Sequence, residues 1–200
     1  MNRQRLVFAT GNRNKTIEFA QILDQKRYEV VSMKDAGIEA EIEETGSSFE
    51  ENAMIKARAV AALTDAVVVA DDSGLVIDAL GGEPGIYSSR YLGEDTPYDI
   101  KNQKLLERMA DVPQEKRTAC FVCAMAAVLP DGREFSTTGV MEGYIGYEAA
   151  GENGFGYDPI FYVEEYGTST AVISPEQKNA ISHRGKALRE IKRILEELPE

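Results

Sequence analysis

Residues 66–75 read Ala-Val-Val-Val-Ala-Asp-Asp-Ser-Gly-Leu. Three β-branched residues between alanines form a short apolar run of the kind that makes a buried strand. The run leads into two adjacent carboxylates, and this reading puts Asp71 and Asp72 at the strand's end, with the chain turning at Gly74. Carboxylates are almost never fully buried without a partner. At a strand end they can hold a hard cation or take a proton from water. Asp-Ser-Gly is also ordinary turn chemistry, so the stretch alone fits both a reacting centre and a solvated strand end.

The chain around it has 200 residues, enough for one sizeable core or one core with two lobes. No repeat, low-complexity linker or composition shift cuts it, so residues 1–200 read as a single domain. The formal net charge is −12, which argues against a nucleic-acid or anionic-membrane surface built from clustered Lys and Arg. A small phosphorylated substrate stays compatible, because a few local cations and a metal can reverse the local field. No apolar run reaches membrane-span length, and the N-terminus lacks a long apolar segment, so the expected location is the cytoplasm. The two cysteines form Cys120-Phe-Val-Cys123, without a second pair and with His183 as the only histidine. On a strand, residues an odd number apart face opposite ways, so buried free thiols fit better than a zinc or redox pair.

Upstream, Leu6–Ala9 reads as a strand that runs into Thr10-Gly-Asn-Arg-Asn-Lys15 and a helix from about Lys15 to Gln25, with Ile17, Phe19, Ile22 and Leu23 as its apolar face. A Gly/Asn loop with a lysine at a helix start can cradle phosphate, and it can equally be a capped turn with Asn14 as N-cap. Tyr28–Ser32 reads as a strand. An acidic run containing Glu39, Glu41, Glu43 and Glu44 then precedes Ser48-Phe-Glu-Glu51, a capping-box pattern for a helix over Phe49–Leu63. That helix carries Asn52, Lys56 and Arg58 among alanines, offering one cationic face. Downstream, Thr96-Pro97 opens a helix through Met109 whose apolar spots are Ile100, Leu105 and Met109. Arg117–Leu129 and Glu134–Ile145 flank Pro130-Asp-Gly132 as long antiparallel strands. A glycine-rich loop, Gly151 to Ile160, presents Phe155, Tyr157 and Asp158. Phe161–Val163 and Ser169–Val172 read as short strands, Ser174-Pro175 starts a final helical region, and its last part, Lys186–Leu198, follows Ser182-His-Arg-Gly185.

Cations in helix starts and loops, acids at strand and loop ends, and an aromatic on a glycine loop together suit a nucleoside phosphate. Seven stretches carry a resemblance: Thr10-Gly-Asn-Arg-Asn-Lys15, Glu43-Glu-Thr-Gly46, Phe49-Glu-Glu-Asn-Ala53, Ala70-Asp-Asp-Ser-Gly74, Pro84-Gly-Ile-Tyr-Ser-Ser-Arg90, Gly154-Phe-Gly-Tyr-Asp-Pro159 and Ser182-His-Arg-Gly185. In this order they resemble the inosine triphosphate pyrophosphatases, the house-cleaning nucleotidases also called Ham1-like. The resemblance implies an elongated α/β fold: a mixed β-sheet flanked by helices, in two lobes with a central cleft. It implies a homodimer and Mg²⁺ as cofactor, and the net charge leaves no nucleic-acid or membrane partner expected. The implied reaction is hydrolysis of ITP, dITP and XTP to the monophosphate plus pyrophosphate.

By position, the resemblance implies that Thr10, Gly11, Asn12, Arg13, Asn14 and Lys15 cradle the phosphates, with Lys56 on phosphate oxygens. Glu43 and Asp72 would hold Mg²⁺, with Asp72 also the base for water and Ser73 on the nucleotide. Phe155 would stack on the base, Gly156, Tyr157 and Asp158 would line its pocket, and Lys178, His183 and Arg184 would meet the base edge or the adjoining nucleotide. Arg184, a donor only, could pair with a 6-oxo group and would face another donor on adenine. Spacing by itself leaves Glu43 against Glu44, and Asp71 against Asp72, open. A relative acting on modified pyrimidines, or a nucleotide-binding module without catalysis, would share much of this pattern.

Overall fold

The computed structural model describes residues 3–22 and 28–197. Seven strands form one mixed sheet flanked by helices. The strands are β1 (Gln4–Phe8), β2 (Tyr28–Ser32), β3 (Val67–Ile77), β4 (Thr118–Val128), β5 (Glu134–Ile145), β6 (Phe161–Val163) and β7 (Thr168–Ser169), in the spatial order β2-β1-β3-β4-β5-β6-β7. β1 pairs in parallel with β2 and with β3, placing Phe8 opposite Ser32 and Val69, and β5, β6 and β7 pair antiparallel. The helices are α1 (Arg13–Ile22), α2 (Phe49–Ala61), α3 (Tyr98–Arg108), α4 (Pro175–Ile181) and α5 (His183–Glu197). No helix among the described residues is long and apolar enough to cross a membrane.

The chain divides into two compact units, one of Met1–Asp72, Cys123–Gly139 and His183–Glu200, the other of Ser73–Val122 and Val140–Ser182. In the first, both faces of the sheet are covered, and strand alternation sorts the core accordingly. Leu6, Phe8, Val67, Val69, Cys123 and Met125 pack with Phe19 of α1 and with Ala187, Leu188, Ile191 and Leu195 of α5. The alternate residues Val7, Ala9, Val68, Ala70, Ala124 and Ala126 pack with Ala53, Ala57 and Val60 of α2. Alanine on both sides of that contact lets α2 lie close to the strands. In the second unit Leu75, Ile77, Ala119, Phe121, Met141 and Ile145 face Leu105 of α3 and Met109, its C-cap, while the alternate residues of β5 are exposed or half-buried.

Several sequence expectations change. β3 does not end at the aspartates: it continues through Ser73 and Gly74 to Ile77, so Asp71 and Asp72 lie in mid-strand. Gly74 is absent from the glycines with positive φ and simply continues the strand. α1 begins at Arg13, and its cap is Asn12: Asn12 Oδ1 accepts from the N–H of Asn14 at 3.0 Å and of Lys15 at 3.4 Å. Its expected end, Leu23–Gln25, lies outside the described residues, as does Leu198. Phe19 is buried, but Ile17 is exposed. Ser48 caps α2, yet Glu51 turns to the N–H and hydroxyl of Ser47 instead of closing the box. Ile100 of α3 points to solvent, and Lys101 and Asn102 take buried places. The last helix starts at His183, three residues before the expected Lys186, and Ser182 joins it to α4. Cys120 is half-buried and Cys123 buried, both free.

Candidate functional site

Because successive residues of a strand face opposite ways, Asp71 and Asp72 serve opposite faces of the same sheet. Asp71 shares the parity of Val67 and Val69 and meets α1 and α5; Asp72 shares that of Val68 and Ala70 and meets α2. Each aspartate is buried and each has a different set of partners.

Asp71 Oδ2 lies 3.0 Å from the Lys15 ammonium and 3.5 Å from Arg184 Nε. Burial alone would push its carboxyl up, but Lys15, Arg184 and Lys56 together hold it well below the usual carboxylate range. Arg184 is itself buried in the first turn of α5 and pairs a second time with Glu18 of α1. Burial opposes its charge, and the two carboxylates more than compensate, raising its pKa. Cys123 Sγ lies 3.9 Å from Asp71, and burial and that carboxylate push its thiol far up. This cluster ties β3 to the starts of both covering helices. Removing one partner of such a buried pair costs about 3–5 kcal/mol, because the other charge stays behind.

On the α2 face, Asn52 Nδ2 donates to Asp72 Oδ2 at 3.0 Å, and the Lys56 ammonium lies 3.9 Å from Asp72 Oδ1. Lys56 also pairs with Glu44. Asn52 and Lys56 are one helical turn apart, which puts both on the face of α2 that looks at β3. Arg58 is on another face, exposed and paired with Glu134 at 2.6–2.7 Å, so the single cationic face expected for this helix does not form. Asn52 Oδ1 accepts the Gly46 N–H at 2.8 Å, and a Cβ at Gly46 would lie 2.6 Å from that oxygen. Only glycine fits, and the contact brings the acidic loop to the helix. Glu43 on that loop is exposed, whereas Glu44 is half-buried at the cluster. Burial and the nearby Glu44 raise the Asp72 pKa, against the pull of Lys56 and the Asn52 hydrogen bond. Lys56 is disfavoured by burial but is raised on balance by Asp71, Asp72 and Glu44.

The first unit therefore gathers Lys15, Lys56, Asp72 and Arg184 around mid-β3. Thr10 is half-buried, and Gly11 and Asn12 before α1 and Arg13 and Asn14 in its first turn are exposed. Thr10 and Gly11 line a cavity of about 460 Å³ with Met33, Lys34, Ile38, Glu39, Ala40 and Glu41. His183 is buried in the first turn of α5. Among the described residues no group of three or more His, Cys, Asp or Glu is placed to hold a metal. Asp72 and Glu44 both lie at the Lys56 ammonium.

The second unit gathers a different group. Asp158 is buried, and its carboxylate accepts from Lys178 Nζ at 2.7 Å, the Phe155 N–H at 2.8 Å and Thr170 Oγ1 at 2.8 Å. Lys178, buried on α4, sits 5.0 Å above the ring of half-buried Phe155. Tyr157 donates its hydroxyl to Ser88 O at 2.6 Å and packs edge-on to Tyr98, and burial raises its pKa. Gly156 carries its carbonyl to Asn102. Ser73 is half-buried on β3 at the start of this unit.

Sequence reasoning missed Asn52 as the hydrogen-bond partner of Asp72, although its one-turn spacing from Lys56 was a usable signal. Glu18, the second partner of Arg184, gave none. The base-edge role expected of Arg184 meets a guanidinium already held by two carboxylates, and the Asp158 side chain is likewise engaged within its own loop.

A model of the Ham1 family matches residues 6–194. A Bacillus cereus protein called dITP/XTP pyrophosphatase is 46% identical over 201 residues, covering all of this chain and 97% of that one. One of the same name from Caldanaerobacter subterraneus is 48% identical over 198 residues, covering 98% of each. The solved structure of a Ham1 protein from Coxiella burnetii superposes with a TM-score of 0.88 at 40% identity, covering 98% of this chain and all of that one. With matches of this length and identity, the chain belongs to the Ham1 family.

Proposed function

We propose that the protein hydrolyses dITP, ITP and XTP to the nucleoside monophosphate and pyrophosphate, clearing deaminated purines from the nucleotide pool in the cytoplasm. The observation that carries this reading is the Asp72 cluster, a carboxylate of raised pKa held by Asn52 and flanked by Lys56 and Glu44. The names of the full-length relatives support the substrate class.

In the reaction a water oxygen bonds to phosphorus, the anhydride bond between the α- and β-phosphates breaks, and pyrophosphate departs. Asp72 takes the water proton. Asn52, by donating to one oxygen, orients the other. Lys56 and Lys15 neutralise charge on the phosphates and on the leaving pyrophosphate. Asp72 with Glu44, or with Glu43 from the same loop, would hold Mg²⁺. Two carboxylates suit an ion that takes its remaining ligands from phosphate and water. Bound there, Mg²⁺ would lower the pKa of a bound water and neutralise charge on the phosphate oxygens. Phe155, half-buried with the Lys178 ammonium 5.0 Å from its ring centre, is the ring that stacks on the base. The family reading also carries a homodimer, which light scattering of the purified chain tests.

The deciding experiment is a panel of ITP, dITP, XTP, ATP, GTP, dTTP and UTP with Mg²⁺ and identification of products. Pyrophosphate and monophosphate from the oxopurine substrates are expected. Orthophosphate as first product, or turnover of dTTP and UTP in place of ITP, would refute the proposal.

A further inference from the structure

Within the Phe155–Asp158 turn, two consecutive backbone donors lack acceptors. The Phe155 N–H goes to the Asp158 carboxylate at 2.8 Å, and the Asp158 N–H to Phe155 O at 3.3 Å. Between them, the N–H groups of Gly156 and Tyr157 donate to nothing among the described residues. Gly156 has φ +68°, and Tyr157 follows at φ −90°, ψ 3°. A left-handed residue followed by a right-handed one turns successive N–H groups toward one concave side, where they can bind an oxygen.

The carbonyl of the peptide joining these two residues is fixed from outside the turn. Asn102 Nδ2, on α3, donates to Gly156 O at 3.0 Å. Because the peptide unit is planar and trans, fixing the carbonyl also fixes the Tyr157 N–H, in the opposite direction. Asn102 is only 5% exposed, and its Oδ1 accepts no hydrogen bond among the described residues. Reversing the carboxamide would set Oδ1 against Gly156 O, oxygen to oxygen, so the donor must face the turn. A buried acceptor left unpaired costs ~1–3 kcal/mol. Leucine would fill a similar space without that penalty. Packing therefore does not explain an asparagine here, and the donor to Gly156 O does.

We infer that Asn102 is a positioning residue for base selection: by holding Gly156 O it keeps the Gly156 and Tyr157 N–H groups aimed at a base carbonyl oxygen. This rests on the proposed reading in which the Phe155 turn receives the base. Two donors welcome the 6-oxo group of hypoxanthine or xanthine and meet another donor in the 6-amino group of adenine.

The test compares wild type with Asn102→Leu, similar in size without a donor, and Asn102→Asp, isosteric with a carboxylate facing Gly156 O. For both variants the KM for ITP should rise about tenfold, the equivalent of ~1.4 kcal/mol, and the ITP-over-ATP ratio of kcat/KM should fall by a similar factor. The kcat for ITP and the inhibition constant of pyrophosphate, which has no base, should stay at the wild-type values. An unchanged ITP-over-ATP ratio in a folded variant overturns the inference. So does an equal loss for every nucleotide and for pyrophosphate, or failure of both variants to fold, either of which would make Asn102 structural. Wild-type protein that hydrolyses no purine triphosphate would refute the proposed function itself, a result read before any variant is compared.

Discussion

Replacing Arg117 should destabilise the second unit by several kilocalories per mole without touching the Asp72 cluster. Arg117 is 1% exposed, and the hydrogen bonds its guanidinium makes all go to backbone carbonyls. Nε donates to Ile145 O at 2.7 Å and Nη2 to Gly146 O at 2.6 Å. Nη1 donates to Met109 O and, at 3.1 Å, to Val112 O, and the group lies 4.1 Å from the Tyr147 ring centre. The side chain thus joins the end of α3 to the end of β5, and burial lowers its pKa. A hydrogen bond to a charged group contributes about 1.5–3 kcal/mol, so four would sum to roughly 6–12 kcal/mol. Arg117→Met also relieves the desolvation of a buried cation, and water can reach some of the freed carbonyls. Both effects bring the expected loss to about 3–5 kcal/mol. Arg117→Lys keeps the charge but presents it from one point and cannot serve both chain ends, so it should recover less than half the loss. Urea denaturation followed by amide exchange reads both numbers, with protection lost first around Met109–Val112 and Ile145–Gly146. A loss under ~1 kcal/mol for Arg117→Met, or full recovery by lysine, would show that these hydrogen bonds do not carry the join.

Other outcomes are equally specific. Asp158→Asn leaves the buried Lys178 ammonium without its carboxylate and should cost about 3–5 kcal/mol, most of it recovered when Lys178→Met is added. A double-mutant cycle in urea checks this, and simple additivity would mean that the pair is not coupled. Leu92 has φ +59° and is exposed, so Leu92→Gly should raise stability by up to ~1 kcal/mol, read as a shift in the denaturation midpoint. Burial raises the thiol pKa of Cys123 strongly and of Cys120 to a lesser degree. A thiol reagent near pH 8 should therefore label Cys120 slowly and Cys123 only on unfolding, and fast labelling of both would contradict the packing.

What could be read in the sequence was local. The valines of residues 67–69 announced a buried strand, Ser48 announced the start of α2, and Pro130-Asp-Gly132 announced the turn between β4 and β5. The end of β3 was misplaced because two carboxylates look like a strand's exit. They stay inside because Lys15 and Arg184 arrive on one face and Asn52 and Lys56 on the other. Those partners come from distant parts of the chain, and alternation could say that the aspartates diverge but not what each would meet. Ile17 and Ile100 were misread as core for a similar reason: a short helix has several apolar residues, and the face that is buried depends on what it is packed against. At the candidate site, the aromatic–glycine turn and the cations were legible as residue types. Asn102 was not, since an asparagine in mid-helix carries no pattern.

The division of the chain bears on the order in which the protein can form during synthesis. The second unit lies wholly between residues 73 and 182. Its core from Leu75 to Val163 can close while the last helix is still within the ribosome. The first unit cannot. It lacks Ala187, Leu188, Ile191 and Leu195 until α5 has been made, and until then Asp71 has Lys15 to face it but not Arg184. The unit that begins first is thus completed after the other, and a chain cut before His183 would keep a finished second unit while the first kept an open sheet face.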